Sequence, residues 1–243
     1  MSKVVIVTGG SRGIGAASAK LLGARGYAVC VNYLVSRERA DDVVDCIIRA
    51  GGQAFAYQAD VSSEAEVIHL FDAVEERFGK VTHLVNNAGV LFTQSKLVDI
   101  DLERFNKVLN SNVVSCFLCS REAIRRFKSG GAIVNVSSLA SQTGSPFEYV
   151  DYATSKGAMD TLTKGLSREV AAAGIRVNAV RPGFIYTDMH ADGGEPGRVD
   201  RLAPQIPMQR GGTAEEVANT IAWLLSDEAS YVTGSFIDVA GGR

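Results

Sequence analysis

In the stretch EYVDYATSK, residues 148–156, Tyr152 stands four residues before Lys156. In a helix that spacing raises both side chains from one face about one turn apart, so an ammonium can lie near a phenol. Tyr149, the other phenol of the stretch, has Ala153 where its lysine would stand. An unperturbed phenol has a pKa near 10, which leaves roughly one molecule in a thousand ionised at pH 7. An ammonium about 4 Å away, at an effective dielectric near 20, favours the phenolate by roughly 4 kcal/mol before desolvation subtracts from it. Tyr152 is therefore the expected proton donor and acceptor, and Tyr149 is expected to line a cleft or pack. On an exposed helix such a pair usually does nothing chemical, so the expectation depends on its surroundings.

The surroundings supply a reason for a proton. Thr8-Gly9-Gly10-Ser11-Arg12-Gly13-Ile14-Gly15 follows an apolar run and opens into a helical pattern. Glycines there let the backbone turn tightly and approach a pyrophosphate, whose charge meets the free N–H groups and positive end of the helix. A dinucleotide that carries hydride to a carbonyl carbon needs a simultaneous proton for the oxygen.

The elements that must position these groups alternate. Apolar runs at 4–8, 28–33, 54–58, 81–86, 132–137, 175–180 and 236–240 read as strands. Between them lie helical patterns: Ile14, Ala17 and Leu21; then Ala40, Val43, Val44, Ile47 and Ile48, stopping at Gly51-Gly52; then Val67, Leu70, Phe71 and Val74. Ser63-Glu64-Ala65-Glu66 and Thr213-Ala214-Glu215-Glu216 have capping-box spacing. Helices are further expected over 101–128 and 150–173. Near-continuous apolar strands separated by helices predict an α/β fold, a single doubly wound Rossmann-type domain over 1–243 with a seven-stranded parallel sheet. Residues 186–212, rich in Gly and Pro, read as a long functional or mobile loop.

Composition narrows the partner. Of the 243 residues 46% are hydrophobic, and the net charge of −2 gives no electrostatic support for nucleic acid or an anionic membrane surface. The short apolar run of MSKVVIVTGG is too brief for a signal peptide or membrane span, so a cytoplasmic protein with reduced Cys30, Cys46, Cys116 and Cys119 is expected. Cys116 and Cys119 fall in an apolar helical pattern, and His69, His83 and His190 share no ligand spacing, so no metal is expected.

Glycines 9, 13 and 15 give T-G-x-x-x-G-x-G. With Asp60-Val61, Asn86-Asn87-Ala88-Gly89, Asn112, Ser138, Tyr152 with Lys156, and Pro182-Gly183 in that order, the sequence resembles the short-chain dehydrogenase/reductase family over nearly its whole length. It looks like the bacterial branch that includes glucose dehydrogenases and 3-oxoacyl carrier-protein reductases. The resemblance implies an oxidoreductase that interconverts a secondary alcohol and a ketone or aldehyde, with Asn112, Ser138, Tyr152 and Lys156 as its catalytic set. It gives Lys156 a hydrogen bond to the nicotinamide ribose, Ser138 the substrate oxygen, and Asn112 a water near the lysine. It places Asp60-Val61 at the adenine and Thr187 at the carboxamide. The cofactor contacts expected on this basis are Gly9, Ser11, Arg12, Gly13, Ile14, Gly15, Tyr33, Arg37, Asp60, Val61, Asn87, Ala88, Gly89, Tyr152, Lys156, Pro182, Gly183, Ile185 and Thr187. It also implies a homotetramer with a substrate lid at 186–212.

Ser138 is preferred to Ser137, because adjacent strand residues point to opposite faces. Ser138 and Tyr152 are fourteen residues apart, a slightly long spacing whose extra length lies around PFEYV and alters the expected cleft wall. Asn32, Tyr33, Leu34, Val35 and Ser36 hold no acid for a ribose 2′-OH, whereas Arg12 and Arg37 suit a 2′-phosphate, which favours NADP with NAD as the alternative. The substrate is a small carbonyl or alcohol of unspecified kind. A dinucleotide-binding redox sensor without turnover is the competing reading, and it would predict a damaged catalytic set.

Overall fold

The computed structural model describes residues 3–127 and 130–243. The first half consists of β1 (Val4–Val7), α1 (Gly13–Ala24), β2 (Ala28–Tyr33), α2 (Arg37–Arg49), β3 (Gln53–Gln58), α3 (Glu64–Phe78) and β4 (His83–Asn86). Then come α4 (Leu102–Leu109), α5 (Ser115–Arg126), β5 (Gly131–Val136), α6 (Ala140–Thr143), α7 (Val150–Glu169) and β6 (Ile175–Pro182). The chain continues through α8 (Met189–Asp192), α9 (Arg198–Leu202), α10 (Ala214–Leu225) and β7 (Phe236–Val239).

All seven strands are parallel, in the order β3-β2-β1-β4-β5-β6-β7. Alternation along β1 assigns its side chains to two cores. Val5 and Val7 join Leu22, Ile47, Ile221 and Leu225 under α1, α2 and α10. Val4 and Ile6 join Leu70, Phe71, Val74 and Leu118 under α3 and α5. Both faces of the central strand are dry, which is why its sequence is continuously apolar. The strand order reverses between β1 and β4, and in open α/β sheets a crevice opens beyond the strand ends at that point.

Strand limits agree with the sequence reading to within about two residues, the ordinary uncertainty of element ends. Four local features differ. The helix expected over 101–128 is interrupted by a π-helical turn at Asn110–Val114 and stops at Arg126; residue 128 lies outside the described residues. The helix expected over 150–173 stops at Glu169, and Ala171–Ala173 tightens into a 3₁₀ turn before the left-handed Gly174. Thr213 and Glu216 form a reciprocal capping box, but the Ser63 side chain caps nothing. Glu66 instead accepts from the backbone N–H of Asp60 at 2.7 Å, bracing the turn that carries Asp60-Val61. Finally, the 186–212 segment contains α8, α9 and a 3₁₀ turn at Ala203–Gln205, with Val199, Leu202 and Ile206 buried beneath it.

Candidate active site

The loop after β1 adopts the backbone its glycines were expected to permit. Gly9 and Gly13 have φ of 59° and 54°, in the left-handed region. A Cβ at Gly15 would strike the Gly9 carbonyl oxygen and come within 2.5 Å of Asn87 Nδ2. Arg12 begins α1 without a side-chain cap, and no acid occupies the first turn, so the helix presents its free N–H groups and positive end. These are the features a pyrophosphate requires, and the residues present fit a dinucleotide.

The loop is braced from two sides. The Thr8 hydroxyl accepts from the backbone N–H groups of Asn87 and Ala88, both at 3.0 Å. Asn87 Nδ2 donates to the Thr8 and Gly9 carbonyls at 3.0 Å. Asn32 Oδ1 accepts from the Gly9 N–H at 3.4 Å, while its amide donates to the Tyr57 and Ala59 carbonyls. Neither Thr8 nor Asn32 was identified as a site residue from sequence, although both occupy strand ends whose polarity breaks an apolar run. That interruption was the available signal.

A cleft of about 440 Å³ brings together Gly9, Ser11, Arg12, Gly13, Ile14, Tyr33, Asp60, Val61, Asn87, Ala88, Gly89 and Thr187. The Asp60 carboxylate accepts from the Ser62 N–H and hydroxyl, at 2.9 and 2.6 Å. Gly15 lies behind the loop as a spacer. Arg37 is a departure: it pairs with Asp41 one helical turn on, at 3.5 Å, and is not among the residues that line the cleft. Arg39 reaches across to Asp188 instead, at 2.6 Å.

A second cleft, of about 380 Å³, contains Ser138, Tyr149, Tyr152, Lys156, Pro182, Gly183 and Ile185. Ile14, Asn87, Gly89, Thr187 and Met189 border both clefts, so the two spaces lie side by side and share a wall. Ser138 faces this space and accepts from the Ala140 N–H at 3.1 Å. Ser137 is buried and donates to the Lys156 carbonyl.

The lysine does not meet the phenol as the spacing alone suggested. Lys156 Nζ lies 5.4 Å from the centre of the Tyr152 ring. It donates to the Val136 carbonyl at 2.8 Å, because burial in apolar surroundings forces the ammonium toward the available acceptor. Desolvation pushes Lys156 down to about 8, against the opposing influence of Cys116 and Asp160. Desolvation likewise pushes Tyr152 up to about 12, with Ser138 acting in the opposite sense. Tyr152 therefore holds its proton at neutral pH. Burial outweighs the effect expected of the neighbouring ammonium.

Several residues aim this cluster. Asn112, buried at the π-helical turn, accepts from the Val90 N–H at 2.7 Å and donates to the Ser155 hydroxyl at 2.9 Å. Ser155 in turn donates to the Tyr152 carbonyl at 2.7 Å. Such turns often mark functional positions because they redirect one side chain within a helix. Asp151, buried, accepts from Arg104 Nε at 2.7 Å and from the Tyr152 N–H at 2.9 Å. The Arg104–Asp151 pair has no recognisable sequence spacing and was not anticipated.

The PFEYV stretch forms the far wall. Ser145 and Phe147 take left-handed φ values of 41° and 66° around Pro146, which lines the cleft. Tyr149 is buried, lines the cleft, and donates to the Gly193 carbonyl at 3.2 Å. Arg198 packs over the Tyr149 and Phe184 rings and pairs with Glu148 and Glu195. These contacts attach the 186–212 segment to the cleft.

The sequence profile of a family described as enoyl-(acyl carrier protein) reductase matches residues 9–243. The chain is 62% identical to the uncharacterized oxidoreductase YgfF of Escherichia coli, over 99% of each chain. It is 39% identical to the 3-oxoacyl-[acyl-carrier-protein] reductase FabG of Staphylococcus aureus, over all of this chain and 98% of that one. A solved structure of a mutant short-chain dehydrogenase/reductase from Serratia marcescens superposes with a TM-score of 0.92 at 38% identity, covering 99% of this chain and 97% of the other.

Proposed function

We propose that this chain, which belongs to the short-chain dehydrogenase/reductase family, interconverts a secondary alcohol and a ketone or aldehyde with Tyr152 as general acid and base. The observation carrying this reading is that Tyr152 and Ser138 line a cleft that adjoins the glycine-loop crevice and shares five wall residues with it. A nicotinamide dinucleotide, when bound, supplies or accepts the hydride. The chain does the rest. Ser138 Oγ holds the substrate oxygen, and the neutral Tyr152 hydroxyl donates its proton to that oxygen during reduction and regains it in the reverse direction. Lys156 orients the cofactor ribose and places positive charge beneath the phenol as its proton leaves. Asn112 keeps the turn at Val90 and the start of α7 in register through Ser155.

NADP is the preferred cofactor, supported by the lack of an acid at the end of β2 and by Arg12 at the cleft. The enzyme acts in the cytoplasm, a placement supported by its four free cysteines. It acts as a homotetramer, supported by the exposed apolar side chains Leu97, Val98, Leu102 and Phe117 around α4 and α5. Among the described residues no helix is long and apolar enough to cross a membrane.

A panel of ketones and aldehydes, followed at the reduced-nicotinamide absorbance band with each dinucleotide, tests the proposal. At least one carbonyl should be reduced, with kcat/KM higher for NADPH than for NADH. Dinucleotide binding without turnover of any carbonyl would favour the sensor reading instead.

A further inference from the structure

Two ion pairs cross the mouth of the dinucleotide cleft. Arg12, the residue that begins α1, holds Asp192 at the end of α8 at 2.5 Å. Arg39, in the first turn of α2, holds Asp188, just before α8, at 2.6 Å. Arg12 lines the cleft, Arg39 lies three residues beyond Ser36, which also lines it, and the carboxylates belong to the segment beside the adjoining substrate space.

We propose that Asp188 and Asp192 compete with a ribose 2′-phosphate for Arg39 and Arg12, so that these two carboxylates set the preference between phosphorylated and unphosphorylated dinucleotide. The inference rests on the reading that this cleft takes a nicotinamide dinucleotide. A guanidinium suits phosphate and carboxylate equally in shape, but a phosphate carries more charge and repels a carboxylate at the same site. All four side chains are about half exposed, so each pair is screened and readily exchanged for another anion. When the 2′-phosphate takes the guanidinium groups, α8 loses its tether to the starts of α1 and α2. An unphosphorylated ribose leaves the tether in place. The carboxylates therefore oppose the ligand that the arginines attract, and the native preference is smaller than the arginines alone would give.

Titration calorimetry with 5′-AMP and adenosine 2′,5′-bisphosphate tests this without turnover, since these probes differ only in the 2′-phosphate. The variants are Asp188→Asn, Asp192→Asn and the double substitution. Asp188 makes no helix-capping bond, so α8 retains its start in Asp188→Asn. Circular dichroism and thermal unfolding verify the fold of each variant. The bisphosphate should bind roughly fivefold more tightly to each single variant, while 5′-AMP changes by less than about twofold. Unchanged or weaker bisphosphate binding would overturn the competition, as would an equal gain for both probes. A wild type without preference whose variants favour the bisphosphate would sustain the competition and overturn the NADP preference of the native chain. Absence of preference in every protein would overturn both.

Discussion

Lys156 is a buried cation one helical turn from Tyr152. Its ammonium is buried and pushed down to about 8, so it is charged below that pH and neutral above it. If that charge orients the cofactor, kcat/KM for the dinucleotide should be level below pH 8 and fall about tenfold per pH unit above it, because this parameter reports groups of the free protein. Lys156→Met should lower activity throughout and abolish the break. A profile in the parent that stays level through pH 9.5 would remove the ammonium from the scheme. Tyr152 and Lys156 could be identified from sequence because helical periodicity fixes which residues share a face. Their mutual geometry could not, because it depends on the Val136 carbonyl twenty positions away, to which the lysine turns.

The elements deliver these side chains through connections of differing legibility. The glycine loop could be read directly, since two of its residues need left-handed backbone and a third permits no side chain. Gly15→Ala makes that concrete: the added Cβ meets the Gly9 carbonyl and the Asn87 amide. Dinucleotide affinity should fall at least tenfold, and stability should drop by about 1–3 kcal/mol, the usual effect of overpacking. Unchanged binding, measured by fluorescence titration, would mean that the loop does not hold the cofactor. Other element-scale features escaped the sequence reading for a common reason. The Arg104–Asp151 strut and the Arg39–Asp188 pair are contacts between distant segments, and at the π-helical turn of Asn110–Val114 Asn112 reaches Val90 and Ser155 in the same way. A local pattern carries no trace of them. The unformed box at Ser63 shows the converse, where a correct local pattern yields to a better partner at Asp60.

At the scale of the whole molecule, the parallel sheet was legible because the central strands are near-continuous apolar runs buried on both faces, and seven strands with intervening helices admit few arrangements. Strand β4 carries a buried histidine. His83 at the start of β4 is buried against Tyr27, with ring centres 5.0 Å apart, and burial followed by the charge of Lys3 pushes it down to about 4. The folded protein therefore binds this proton later than the unfolded chain does. Stability should decline as pH falls from about 6.5 through 4, by up to about 1.4 kcal/mol per pH unit from this group. His83→Gln should flatten that part of the dependence in urea unfolding, whereas an identical slope in both proteins would place the acid lability elsewhere. In the proposed reaction the sheet, the two adjacent clefts and the buried cluster serve one act, the passage of a proton from Tyr152 to a substrate oxygen beside a bound dinucleotide. The most direct measurement is kcat/KM of Tyr152→Phe on the best carbonyl, with dinucleotide affinity determined separately. A loss on the order of 10²–10⁴-fold with affinity retained is expected, and turnover equal to the parent would rule out the Tyr152 hydroxyl as the proton donor.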